Sequence, residues 1–179
     1  ADPSLGGTTA WLQLIGPARV HTPAAPPRDL PDTLPGLLLA YLGTQTDGVD
    51  RDALATLFWD GEAPAQALRA LRVTLSRLQA QLGQWGLPPG TLQAERRRVR
   101  LTLPSDWGGG RHAPGPLDLE LAGRLAGAGF AANLGWDRLP RLAAWAAAET
   151  AQLRRLARGL LLTLAAEAPP ALAEPLLAR

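Results

Sequence analysis

Between positions 63 and 83, Leu71, Leu75, Leu78 and Leu82 recur at intervals of four, three and four. That spacing lines one side of a helix and turns it toward a core. Roughly opposite them stand Arg69, Arg72, Val73, Thr74, Ser76 and Arg77. A face of guanidinium groups mixed with small polar and apolar side chains suits a DNA major groove: Arg for guanine edges or phosphate, hydroxyls for either, a methyl for thymine. The same residues also suit an ordinary solvated face, because arginine is a good helix former.

The elements around this helix follow from the same kind of pattern. Trp11 to Val20 alternates as a strand does, with Gly16-Pro17 read as a bulge or edge feature. Residues 22–31 are rich in proline and predict an extended connection, with room for a short second strand near Leu30. Asp32 or Thr33 offers an N-cap and Pro35 falls in the first turn of a helix over 34–42 that presents Leu34, Leu37, Leu38, Tyr41 and Leu42. A second helix opens at Val49-Asp50 with Asp50 as its cap, places Leu54, Leu57 and Phe58 at helical spacing, and stops at Trp59-Asp60-Gly61. Trp59 reads as a plug between helices. After the two-faced helix and a turn-rich stretch over 84–90, residues 91–103 predict a β-hairpin, with Arg96, Arg97 and Arg98 near the tip and Val99, Leu101 and Leu103 on one face.

Strand, three helices and hairpin, in that order, is a winged helix-turn-helix, with the hairpin as the wing that reaches neighbouring DNA backbone. Residues 104–116 (PSDWGGGRHAPGP) then mark the domain boundary. Beyond it the pattern predicts a short helix over 117–126 and a connection anchored by Phe130 and Trp136. A long helix over 142–167 follows, with Trp145, Leu153, Leu156, Leu160 and Leu164 inward and Arg154, Arg155 and Arg158 solvated. Pro169-Pro170 breaks it, and Leu172, Leu176 and Leu177 form the apolar side of a last short helix that must fold back or pair with a neighbouring molecule. The expected fold is mainly α with a small β component: a winged-helix domain over 1–103, a linker over 104–116 and a helical segment over 117–179.

Charge sharpens this picture. The net charge is +2, but residues 1–61 carry three Arg against seven acids, residues 62–105 seven Arg against two acids, and residues 106–179 eight Arg against seven acids. Positive charge is therefore concentrated in the two-faced helix and the hairpin, the footprint of a nucleic-acid contact surface. A run of three arginines alone is commonly just solvated surface; two basic stretches at the two places where a winged helix touches DNA favour binding.

Composition removes other chemistries. All 18 basic residues are arginine, so neither a Schiff-base lysine nor a P-loop lysine is available, and the GGGR run at 108–111 reads as a flexible linker. Ser4, Ser76 and Ser105 are the only serines and none lies in a G-x-S-x-G elbow. His21 and His112 are far apart, there is no cysteine, and no HExxH pattern occurs, which argues against zinc. The expectation is no catalysis, no metal and no cofactor. No apolar run is long enough to span a bilayer, and residues 1–7 lack the basic start of a signal peptide. The absence of methionine, even at position 1, predicts a chain that has lost its natural start.

Over residues 11–103 the sequence resembles the OmpR-like winged helix of bacterial transcriptional activators of the SARP class, the Streptomyces antibiotic regulatory proteins. The resemblance rests on WLQLIGPARV, LLLAYLGTQTDGVDRDALATLFW, ALRALRVTLSRLQAQLG and RRRVRLTL. It implies that Arg69, Arg72, Val73, Thr74, Ser76 and Arg77 face DNA from the recognition helix and that Arg97 and Arg98 do so from the wing. The chain departs from the family pattern at Asp32-Thr33-Leu34-Pro35, where basic residues are usual, at Arg98-Val99 in place of Gly-Tyr, and at Gln79-Ala80 in place of an Arg pair. The second half resembles the start of the bacterial transcriptional activator domain, a helical-hairpin repeat of tetratricopeptide type. The resemblance implies a cytoplasmic, nucleoid-associated regulator with double-stranded DNA as partner, RNA polymerase as a further one, and assembly as a homodimer or tandem copies on DNA. A tetratricopeptide-type array needs about three repeats to bury a continuous core, and this chain holds barely one. The rival reading is an interaction or oligomerisation module on a winged-helix scaffold that does not bind DNA.

Overall fold

A computed structural model describes residues 10–45, 47–107 and 129–167. Strands β1 (Trp11–Gln13), β2 (Arg19–Thr22) and β3 (Ala25–Asp29) form an antiparallel sheet in that order. The strand expected over 11–20 is thus two strands folded on each other, with Trp11 opposite His21 and Gln13 opposite Arg19. The turn comes at Gly16, whose φ of 85° is a conformation that favours glycine, so Gly16-Pro17 is a reversal rather than a bulge. The second strand expected near Leu30 is β3, and its prolines are tolerated because it lies at the sheet edge.

Helix α1 (Leu34–Leu42) is capped by Thr33, whose hydroxyl accepts from the Gly36 N–H. It buries Leu37, Leu38, Leu39 and Leu42. Val49–Asp50, where the next helix is expected to open, also forms a two-residue strand, β4, antiparallel to β6. Gly48 makes this possible: its φ is 81°, and a Cβ there would lie 3.1 Å from the Val99 carbonyl oxygen. Helix α2 (Arg51–Phe58) follows, with Asp50 in the N-cap position but without a side-chain capping bond. Helix α3 (Pro64–Gln84) packs on α1 and α2. Strands β5 (Leu92–Ala94) and β6 (Arg98–Leu101) form the hairpin, in a sheet ordered β4-β6-β5.

Residues 104–107, expected to begin the linker, run beside β1. The Leu12 N–H donates to the Pro104 carbonyl, Ser105 bridges Leu12 in parallel, the Asp106 carboxylate accepts from the Leu14 N–H at 2.6 Å, and Trp107 is buried. On the opposite flank of the same loop, Phe130 bridges Ile15 and the Ala131 N–H donates to the Leu14 carbonyl. Helix α4 (Pro140–Glu167) then packs against α2.

One hydrophobic core unites these parts, with Phe130, Ala131, Leu134, Trp136, Leu142, Ala146, Leu153 and Ala157 joined to the winged-helix residues. An aromatic chain marks the join. Trp145 lies 4.9 Å from Tyr41 and 5.0 Å from Phe130 between ring centroids, and Phe130 lies 5.6 Å from Trp107. Burial raises the Tyr41 pKa above its ordinary value. Phe130 and Trp136 are the anchors expected of them, and Trp145 and Leu153 face inward as expected, but Leu156 is exposed. The expected helices over 117–126 and 171–179, and the side chains of Leu160 and Leu164, lie outside the described residues. The fold is mainly α with two small sheets, a winged helix followed by a helical part.

Candidate nucleic-acid interface

Helix α3 positions the first part of the site. Its buried side is Ala67, Leu71, Thr74, Leu75, Leu78 and Leu82, so the four leucines of the sequence pattern all reach the core. Each such burial stabilises by roughly 1.5–3 kcal/mol, which fixes the helix's rotation about its own axis. Fixing one face fixes the other. Arg69, Arg72, Val73, Ser76 and Arg77 are exposed, and Val73 retains 47% of its surface.

Thr74 is a correction. It was expected on the DNA-facing side, but only 6% of it is exposed and its hydroxyl donates to the Ala70 carbonyl at 2.9 Å. Thr74 lies three residues beyond Leu71 and four before Leu78, so helix periodicity sets it on the leucine side.

The helix contains no Asp or Glu. None of Arg69, Arg72 and Arg77 forms an ion pair with another described residue. Their guanidinium groups are exposed, permanently charged and uncommitted, as a phosphate or guanine contact requires.

The wing supplies the second part. Ala94 pairs with Val99 and the Glu95 N–H donates to the Arg98 carbonyl at 2.9 Å, leaving Arg96 and Arg97 at the tip. Val99 and Leu101 point into the core, so Arg98 and Arg100 point out. Arg98 is exposed but not free. Its guanidinium stands 3.6 Å from the Asp50 carboxylate and donates to the Gly48 carbonyl at 3.4 Å. Arg96 and Arg97 form no ion pair with described residues.

Two arginines outside the expected set belong to this region. Arg100 is exposed and two residues from Arg98, on the same side of β6; strict alternation in RRRVRLTL was the available signal. Arg51, the first residue of α2, ties down the tip: its backbone N–H donates to the Arg97 carbonyl at 2.8 Å and its Nε to the Glu95 carbonyl at 2.6 Å. A cation at a helix N-terminus opposes the helix dipole, and that local mismatch was the only hint of another task.

The departure at Asp32 also has a structural reason. Its carboxylate accepts from the Gly135 N–H at 2.8 Å and pairs with Arg138, which also donates to the Asp32 carbonyl. Asp32 thereby fastens the start of α1 to the segment leading into α4. Arg154, Arg155 and Arg158 are exposed on α4, as expected of a solvated face.

No helix among the described residues is long and apolar enough to cross a membrane. No family model matches the sequence, and no curated protein matches it. Among solved structures, the chain is similar to one described as Mycobacterium tuberculosis EmbR in complex with low affinity phosphopeptide, with a TM-score of 0.58 and 22% identity. The match covers 88% of this chain and 48% of that one, so this chain spans about half the length of its structural relative. At that identity the likeness is one of fold, and it extends across both the winged helix and the helical part.

Proposed function

We propose that this chain is a sequence-specific, double-stranded-DNA-binding transcriptional regulator of the SARP type, acting as an activator without a catalytic step. In this reading Arg69, Arg72, Val73, Ser76 and Arg77 of α3 enter the major groove. Arg96 and Arg97 at the wing tip, with Arg100 behind them, hold phosphates of the adjoining backbone, while Arg98 is engaged by Asp50.

The observation that carries the reading is the exposed face of α3. Over 21 residues it presents three arginines with neither a carboxylate in the helix nor an ion pair to another described residue. A face evolved only for solubility interleaves charges of both signs; this one is single-signed, and the wing tip adds Arg96 and Arg97 without an ion pair to a described residue. The fold likeness to EmbR is compatible with a regulator. The phosphopeptide belongs to EmbR and supports no more here than the general idea of a protein partner. We assign that role to the helical half, where Leu156 and Leu162 remain exposed: assembly of two copies on DNA and contact with RNA polymerase, in the bacterial cytoplasm.

Selection from randomised duplexes, followed by titration of the selected site, tests the reading. Arg77→Ala is expected to weaken the selected site by about 1–3 kcal/mol, the range of a good bidentate base contact, while binding to random duplex changes far less. Equal affinity of wild type and variant for the selected site would remove α3 from the interface. No enrichment of any duplex would favour the interaction-module reading instead.

A further inference from the structure

The three consecutive arginines of the wing are not equivalent, and Asp50 is what separates them. Asp50 and Arg98 are direct cross-strand partners in the β4–β6 pair, so their side chains leave the sheet on one side, at the distance where opposite charges interact. The carboxylate stands 3.6 Å from the Arg98 Nε, and the far end of the same guanidinium donates to the Gly48 carbonyl. Arg98 therefore lies back along β4, toward the loop before α2. Arg97 and Arg96, one and two positions nearer the tip, have no such partner among the described residues.

The structure gives the Asp50 carboxylate little to serve beyond the dipole of α2. It occupies the N-cap position of α2 yet makes no side-chain capping bond. Its part in β4 is made by the backbone alone. Its side chain is 69% exposed, and that of Arg98 55% exposed, so the pair adds little to folding stability. Its effect is on charge: one acid is placed among the cations of the wing and draws one of them away from the tip.

Resting on the DNA-binding reading, we infer that Asp50 is a positioning residue that withholds Arg98 from phosphate and lowers the affinity of the wing for any duplex. The wing binds DNA with Arg96 and Arg97, and Arg98 joins them only when the Asp50 carboxylate is removed. Because the pair is exposed and weak, the restraint is modest, a matter of roughly fivefold in affinity. It acts on all sequences alike, since a phosphate contact carries no base information.

The test compares wild type, Asp50→Asn, Arg98→Ala and the double variant on one selected and one random duplex across a salt series. Asparagine keeps the size and N-cap preference of the residue, so the fold is retained. Asp50→Asn is expected to bind both duplexes roughly fivefold more tightly and to steepen log K against log salt by about 0.9, one additional phosphate contact. Arg98→Ala is expected to leave the wild-type slope nearly unchanged, and in the Asp50→Asn background to cancel the gain. A slope for Asp50→Asn equal to that of wild type, or a full unit lost on Arg98→Ala alone, would overturn the inference while leaving DNA binding standing. Absence of binding by wild type and Asp50→Asn alike would overturn the DNA-binding reading itself, and this inference with it.

Discussion

Val73 and Thr74 are neighbours on one helix and end in different media, half-exposed and buried respectively. The step of about 100° per residue separates them, and the leucine row decides which side is inside. Residue type alone could not: threonine suits either place, because its hydroxyl can be satisfied by the carbonyl one turn back. The same ambiguity hid Asp32 and Arg51, whose partners lie 103 and 44 residues away in sequence. His21 is a further residue whose setting only the fold reveals. It stacks on Trp11 at 4.0 Å and its Nε2 lies 2.8 Å from the Gln13 carboxamide oxygen. Burial, with the Arg19 charge adding to it, holds its pKa below the ordinary 6.5. The unfolded chain then takes up this proton more readily than the folded one, so the stability that neutral His21 contributes is full above about pH 6.5 and lost as pH falls below it. Thermal midpoints should drop between about pH 7.5 and pH 5.5 by more in wild type than in His21→Asn. Equal drops would show that His21 is not coupled to folding. The carboxyl of Glu149, raised by burial, acts in the opposite direction as pH falls and is common to both proteins.

Elements with strong local periodicity were readable, and those made by distant pairing were not. α1 and α3 follow from leucine spacing, and the hairpin from alternation around an arginine-rich tip. The reversal at Gly16 and the two-residue β4 depend on partners elsewhere: β4 exists because β6, about 50 residues on, offers Val99 and Arg98 to it. A two-residue strand leaves no period to detect. Within the readable set α3 bears the most weight, because its inner leucines set the angle at which its arginines are presented. Leu78 is fully buried, and Leu78→Ala should cost about 2–5 kcal/mol in chemical unfolding. It should also weaken DNA binding only in proportion to the fraction unfolded. A cost under 1 kcal/mol would mean that the helix is not seated on these leucines.

On the scale of the whole molecule, the two halves that composition separates are sewn together at the β1–β2 loop and along α1 and α2. The side-chain amide of Asn133 accepts from the Ala18 N–H at 2.6 Å and donates to the Ala18 carbonyl at 3.2 Å, the Gly16 N–H donates to the Gly129 carbonyl, and Trp145 fills the space between Tyr41 and Phe130. Proline and glycine at 104–116 signal a break in regular structure, and nothing in them tells whether the chain beyond returns to the same core. Because it does, the described residues should unfold in a single calorimetric transition. Trp145→Ala should lower its midpoint strongly, by an energy of order 3 kcal/mol, the low end for loss of a large core aromatic. Two well-separated transitions in the wild type would show that the halves fold independently.

Binding of DNA by the uncommitted arginines of α3 and the wing must show in its salt dependence. Affinity of the wild type for its selected duplex, measured from low to moderate salt, should fall with a log–log slope steeper than about −2. Replacing Arg96 and Arg97 together by alanine should flatten that slope by nearly 2, about 0.9 for each lost phosphate contact, equally on selected and random DNA. A salt-independent affinity, or a slope untouched by the double replacement, would show that these arginines do not hold DNA phosphates.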